Sequence, residues 1–299
     1  MTEQEKKIGV ACAISAYLIW GFAPIYFKQL LFITPQEILV NRIVWSVLIL
    51  GALLAVLGHG RKLKAALADL KTLPILVISS TLLAFNWFLF IWAVNNDQML
   101  EASLGYYINP LLNMLLGYIF LKERLDSSQK LAVLLALTGV CYLVISVGES
   151  PWIALALASS FSIYGLLRKV ISVESITGLF LESAIMAPVA IIYWTLHPSE
   201  TSNLLNNTVG LNTLLISAGI ITTAPLLFFT MAARRINYST LGFVQFIAPT
   251  LMFLLAVVIY QEPLDPSRVV TFAFVWSGLL IYVYSAYRRY RNLKITRPV

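Results

Sequence analysis

Two ionisable side chains stand deep inside uncharged, apolar stretches of this sequence. Arg42 follows EILVN and precedes IVWSVLILGALLAVLG; Glu182 follows SITGLFL and precedes SAIMAPVAIIYW. A charge in hydrocarbon is costly, so one that is retained there pairs with another group or takes part in moving an ion or solute. Counted from the nearest turns, each lies about six residues, or ~9 Å, inside a ~30 Å core, and the two enter from opposite faces. That leaves on the order of 12 Å of depth between them, so a direct Arg42–Glu182 ion pair is not expected. Arg42 is placed instead with Glu37 or Glu101, and Glu182 with Arg168 or Lys169. Pairs of this kind serve as gates or braces; the other role open to Glu37 or Glu182 is to titrate and carry a proton.

Uncharged polar residues fall on common helix faces. Tyr106, Asn109 and Asn113 stand at i, i+3 and i+7 with Pro110 beside them, and Tyr17, Trp20 and Pro24 repeat the pattern. Asn86 follows Ser79 by seven residues, and Trp87 follows Ser80 by seven. An unpaired amide is expensive in lipid, so these faces must meet other helices or line a wet cavity. Both outcomes stay open, with Trp20, Tyr106 and Asn109 the leading cavity candidates. Other chemistry is scarce: there is no serine elbow, no intramembrane histidine pair, no metal-ligand spacing and no GxxxxGK loop. His59 and His197 fall in loops, while Cys12 and Cys141 lie in apolar runs where a thiol acts as a small hydrophobe. No catalytic residue, metal, disulfide or cofactor is expected.

The elements that must carry these residues follow from composition. Of 299 residues, 59% are hydrophobic and only 12% charged, and the mean hydropathy is +0.83. A water-soluble fold could not bury so much apolar surface in one core. Ten apolar runs, from Ile8–Phe27 to Val269–Tyr287, each approach the ~20 residues needed to span a bilayer. Turn signals such as Thr34-Pro35, Gly58-His59-Gly60, Asn95-Asn96-Asp97 and Gly148-Glu149-Ser150-Pro151 separate many of them. Gly60 to Leu70 reads either as a short interfacial helix or as a basic loop. Pro24, Pro110, Pro188, Pro225 and Pro249 interrupt five of the runs; each removes a backbone donor and favours a kink.

The chain also repeats itself. ASLGYYINPLLNMLLGYIFLKERLDSSQKLAVLLALTGV, from Ala102, returns about 139 residues later as TLGFVQFIAPTLMFLLAVVIYQEPLDPSRVVTFAFVWSGL. Without a gap, Pro110 falls on Pro249, Glu123 on Glu262, Asp126 on Asp265, Ser128 on Ser267 and Gly139 on Gly278. Five spans per half is an odd number, so the halves, residues 8–147 and 152–287, must lie upside down to one another. The charges agree. Lys122, Arg124 and Lys130 in the first loop face Gln261, Pro263 and Val269 in the second. Lys and Arg concentrate on the side that holds both termini, which makes both termini cytoplasmic. Inverted repeats are the architecture of many secondary transporters, with a site near the midplane where the halves meet. In that frame Pro110 and Pro249 are matched candidates for hinges, and Glu123 and Glu262, on opposite faces, are helix-end caps or gate anchors. Asn86, Asn109 and Asn113 correspond to Pro225, Ala248 and Met252, and the pair Trp20 and Tyr17 to Tyr164 and Phe161. A cavity with one amide-rich wall and one aromatic or aliphatic wall suits an amphipathic organic solute better than an inorganic ion.

The motifs WGFAPIYFK (20 to 28), EILVNRIVWS (37 to 46), NWFLFIWAV (86 to 94), SLGYYINPL (103 to 111), YGLLRK (164 to 169) and TLGFVQFIAPT resemble those of the RarD-type permeases, in the EamA branch of the drug/metabolite transporter superfamily. The resemblance runs nearly end to end. It implies an all-α integral membrane protein of ten transmembrane helices as two inverted five-helix EamA repeats, in a bacterial inner membrane, transporting small organic solutes. The family name is tied to chloramphenicol sensitivity or resistance. Asn41 departs from the pattern, standing where related sequences place His before the Arg. The first run has no carboxylate, which disfavours exchange of a cationic drug for protons and leaves neutral, zwitterionic or anionic solutes, with Arg42 or Lys28 available for a carboxylate. Lys28 reads more simply as snorkelling. The expected partners are the lipid bilayer and a small-molecule solute, with no nucleic acid; a monomer suffices and a dimer is allowed. The competing classes are a structural or regulatory membrane protein without turnover and, least of all, a lipid-modifying enzyme.

Overall fold

The computed structural model describes residues 2–95, 99–147, 151–261 and 266–295, and within them the regular structure is all helical. The first half contains α1 (Glu3–Phe27), α2 (Pro35–Val56), the short α3 (Gly60–Ala68), α4 (Thr72–Asn95), α5 (Met99–Phe120) and α6 (Ser127–Val147). The second contains α7 (Trp152–Val170), α8 (Ser175–Leu196), α9 (Val209–Ala233), α10 (Tyr238–Gln245), α11 (Ile247–Leu254) and α12 (Pro266–Ile295). Nine helical stretches among the described residues are long and apolar enough to cross a membrane. α5, with 22 residues, is a further long helix outside those nine.

Local sequence sets the ends. Thr34 caps α2, its hydroxyl accepting from the Glu37 amide at 3.4 Å, with Pro35 in the first helical turn. Gly58, at φ 65°, lies just beyond the far end of α2, where a Cβ would be disfavoured. Asp126 and Gln129 cap α6 reciprocally at 2.8 and 3.0 Å. Of the two readings of residues 60 to 70, the helical one is seen: α3 packs on α4 and α8, and Lys62 Nζ reaches Glu174 at 2.7 Å.

Taking α1, α2, α4, α5 and α6 against α7, α8, α9, α10–α11 and α12 in order, the packing contacts come in matched sets. α1 lies on α9 and α4 on α7; α2 lies on α9 and α4 on α8; α5 lies on α7, while α1 lies on α10 and α11. The contacts of α6 with α12, α2 with α8 and α5 with α10 map onto themselves. At the α6–α12 contact the match reaches single residues. A Cβ on Gly139 would come within 3.0 Å of the Thr271 carbonyl, and one on Gly278 within 2.7 Å of the Ala132 carbonyl. Small residues of this kind allow helices in lipid to approach closely. Lys122 and Gln261, equivalent in the sequence repeat, are the two described non-glycine residues with positive φ, at 55° and 50°.

The prolines behave unequally. Pro24, Pro110, Pro188 and Pro225 are contained within α1, α5, α8 and α9. The run carrying Pro249 is instead broken at Phe246 into α10 and α11 and continues as a π-helical turn, Leu255–Ile259. Pro249 cannot donate to the Gln245 carbonyl, and its ring crowds that group, so the helix divides there. Of the two matched prolines, Pro110 lies within one continuous helix and Pro249 in a divided run.

Candidate functional site

Arg42 is the eighth residue of α2 and points between helices rather than to lipid. Its Nε donates to Thr222 Oγ1 on α9 at 2.7 Å. The guanidinium carbon lies 4.7 Å from the Trp87 ring centroid on α4 and 5.7 Å from that of Phe27 on α1, and Tyr106 on α5 and Tyr26 on α1 are within electrostatic reach. Arg42 is half-buried, and Tyr106 is 38% exposed. Among the described residues no carboxylate lies within ion-pair distance of Arg42.

This corrects the expected Arg42–Glu37 pair. Glu37 is buried and accepts from Ser199 Oγ at 2.6 Å and Thr201 Oγ1 at 2.5 Å, fastening α2 to the segment between α8 and α9. Positions i and i+5 on a helix diverge by about 140°, so the two side chains leave α2 in different directions. The other expected partner, Glu101, has its side chain outside the described residues. Asn41 is satisfied within α2, donating to the Glu37 carbonyl at 3.0 Å and accepting from Trp45 Nε1 at 3.1 Å.

Glu182 on α8 is fully buried. Its carboxylate accepts from Ser79 Oγ on α4 at 2.5 Å and from the Tyr164 hydroxyl on α7 at 3.4 Å, and lies 3.8 Å from Arg168 Nη1. Arg168 is one of the two partners expected from sequence; the other, Lys169, donates instead to the Ala233 and Ile236 carbonyls. A small cleft of about 10 Å³ is lined by Ile43, Ser46, Trp87, Glu182, Ser183 and Thr222, among others. Trp87 and Thr222 line this cleft and also contact Arg42, which stands beside it. Arg42 and Glu182 do not meet.

The asparagines divide. Asn109 and Asn113 are buried and form an amide cluster with Gln245. Gln245 donates to Asn109 Oδ1 at 2.6 Å, Asn113 donates to Gln245 Oε1 at 2.6 Å, and the Tyr17 hydroxyl donates to the same oxygen at 3.3 Å. Asn109 also donates to the Ala158 carbonyl at 3.1 Å. Asn86 donates to the Leu157 carbonyl and Ser160 Oγ at 2.8 and 2.9 Å. These amides are spent on joining α1, α5, α7, α4 and α10. Trp87 and Tyr106 remain beside Arg42. Tyr17, Trp20, Phe161 and Tyr164, paired by the repeat, gather around Phe229 with centroid separations from 5.2 to 6.4 Å.

Gln245 was not singled out from sequence, although it is the repeat counterpart of Tyr106 and the comparison could have found it. Thr222 gave no signal, since a threonine in an apolar helix ordinarily bonds back to its own helix, as Thr222 also does to Ala218. Glu123 does cap a helix: it accepts from the Tyr238 and Ser239 amides at 2.6 and 2.9 Å at the start of α10. Glu262 lies outside the described residues. Lys28 sits 3.2 Å above the Tyr260 ring.

A multi-pass helical membrane protein with an internal cleft and no metal-ligating group of His, Cys, Asp or Glu among its described residues is the setting for comparison with known proteins. The EamA-like transporter family matches residues 7–145 and again 150–284. Protein RarD of Salmonella typhi is 50% identical over 287 residues, covering 96% of this chain and 98% of that one. Protein RarD of Escherichia coli (strain K12) is 48% identical over 287 residues, 96% and 97% of the two chains. A solved crystal structure superposes with a TM-score of 0.71 over 91% of this chain and 96% of its own, at 19% identity, a likeness of fold. The chain belongs to the EamA-like transporter family. Within that family it is a RarD-type permease.

Proposed function

We propose that the chain is a secondary transporter, an exporter of a small amphipathic organic solute, working by alternating access at a midplane site between its halves. The observation that carries this reading is packing that repeats when the halves are exchanged, around a small cleft to which α2, α4, α8 and α9 contribute, two helices from each half. Elements that alternate between two equivalent packings can present one site to either face. The ten-span, inverted-repeat arrangement with both termini cytoplasmic completes the proposal, supported by the distribution of Lys and Arg and by the matched residues Gly139 and Gly278. Gating is assigned to Glu37, Arg42 and Glu182 and to the segments around Pro110 and Pro249. The lining is assigned to Trp87 and Tyr106, with Tyr17, Trp20 and Tyr164 behind them and Asn86, Asn109 and Asn113 holding the wall. The test is counterflow in proteoliposomes with a panel of amphipathic metabolites and drugs, chloramphenicol among them. Accumulation of at least one labelled solute against its unlabelled pool is the expected result; no flux for any member at two pH values overturns the reading.

A further inference from the structure

We propose that Arg42 is the anion-binding residue of this site and that its solute is a monocarboxylate carried on a planar apolar body. The inference rests on the transport reading above and narrows it to one chemical class.

A guanidinium inside a membrane span is costly unless something compensates its charge. Two carboxylates of the described residues that could do so are engaged elsewhere. Glu37 is held by Ser199 and Thr201, and Glu182 by Ser79, Tyr164 and Arg168. Among the described residues Arg42 makes one hydrogen bond, from Nε to Thr222. Its two terminal nitrogens are therefore available as the fork that takes a carboxylate through two parallel bonds.

The fork is also held in place. Thr222 fixes one edge, and Trp87 and Phe27 lie against the guanidinium. A side chain anchored from α1, α4 and α9 loses little further freedom on binding. The neighbouring surface is aromatic, with Trp87, Phe27 and the exposed ring of Tyr106 beside the charge, which suits a flat apolar body. A cation would be repelled. A zwitterion's ammonium would find no free carboxylate at Arg42 among the described residues, so a net anion is favoured over both.

The test uses the full chain in nanodiscs and one ring in four charge states: indole-3-acetate, indole-3-acetamide, tryptamine and tryptophan. Binding of labelled indole-3-acetate is competed by each compound. The unlabelled acetate is expected to compete at least tenfold better than the other three. Arg42→Gln is expected to lose at least tenfold in affinity, while Lys28→Gln keeps it. A second measurement needs no variant: modification of Arg42 by phenylglyoxal, followed by mass spectrometry, should be slowed by the acetate and not by the amide. The proposal is overturned if the amide or tryptophan competes as well as the acetate, if folded Arg42→Gln binds normally, or if Arg42 is not protected. It is overturned too if neither indole-3-acetate nor 2-naphthoate binds at millimolar concentration. Binding without counterflow would remove the transport reading instead and leave the anion site standing.

Discussion

Arg168 and Glu182 are both fully buried, 3.8 Å apart, and Arg168 Nε and Nη1 make no hydrogen bond among the described residues. Removing one member of such a pair leaves the other charge buried alone, at a cost of about 3–5 kcal/mol, whereas removing both is often far less damaging. Glu182→Gln and Arg168→Met are each expected to lower stability by roughly that amount, and the double variant by less than either alone. Chemical denaturation in detergent measures all three; a double variant as unstable as the sum would show that the two charges do not depend on one another. The packing around Arg168 supplies a sharper probe. A Cβ on Gly178 would overlap Nη1 and lie 2.7 Å from Nη2. Alanine gains up to ~1 kcal/mol of helix propensity over glycine, but overpacking costs ~1–3 kcal/mol. Gly178→Ala should therefore destabilise, and a neutral or higher melting temperature would contradict the tight fit. The Arg168–Glu182 pair was legible in the sequence because both residues approach one membrane face. The Arg42 environment was not, because Thr222 and Phe27 are brought to it from distant segments by tertiary packing.

Among the helix contacts that map onto themselves, the one between α6 and α12 is matched down to single residues. Gly139 and Gly278 each face a carbonyl of the opposite helix at 3.0 and 2.7 Å from where a Cβ would stand. A backbone carbonyl cannot rotate away as a flexible side chain can, so either alanine must separate the helices. Gly139→Ala and Gly278→Ala are each expected to cost about 1–3 kcal/mol, similar in size and less than additive when combined, since the first separation relieves the second clash. Thermal unfolding of the two single variants and the double variant checks this; strictly additive losses would mean that the contacts are independent. The sequence showed these glycines as matched positions and could not show what they touch. It also marked Pro110 and Pro249 as equivalent, yet only the second run is broken. Gln245, at that break, donates its amide to Asn109 instead of continuing a regular face, and pattern matching between halves does not register such exchanges.

For the whole molecule, the placement of charge makes a prediction about orientation. With both termini cytoplasmic, Arg61 near the start of α3 lies inside and Leu205, 93% exposed between α8 and α9, lies outside. In a background with Cys12→Ala and Cys141→Ala, Leu205→Cys should react with a membrane-impermeant maleimide in intact spheroplasts and Arg61→Cys only after permeabilisation. The reverse pattern would invert the assignment. Helical class and family were legible because hydropathy and motifs are properties of the chain itself.

Lys122 and Gln261 draw these scales together. Both hold a left-handed backbone, at φ 55° and 50°, in turns that share their acidic positions, Glu123 with Glu262 and Asp126 with Asp265, and differ in that Lys122, Arg124 and Lys130 are matched by Gln261, Pro263 and Val269. A non-glycine residue there costs roughly 1–2 kcal/mol, so the shared shape is not what these side chains would choose alone. Basic charge and backbone geometry thus vary independently between these two turns: one bend is made once with a lysine among cations and once with a glutamine without them.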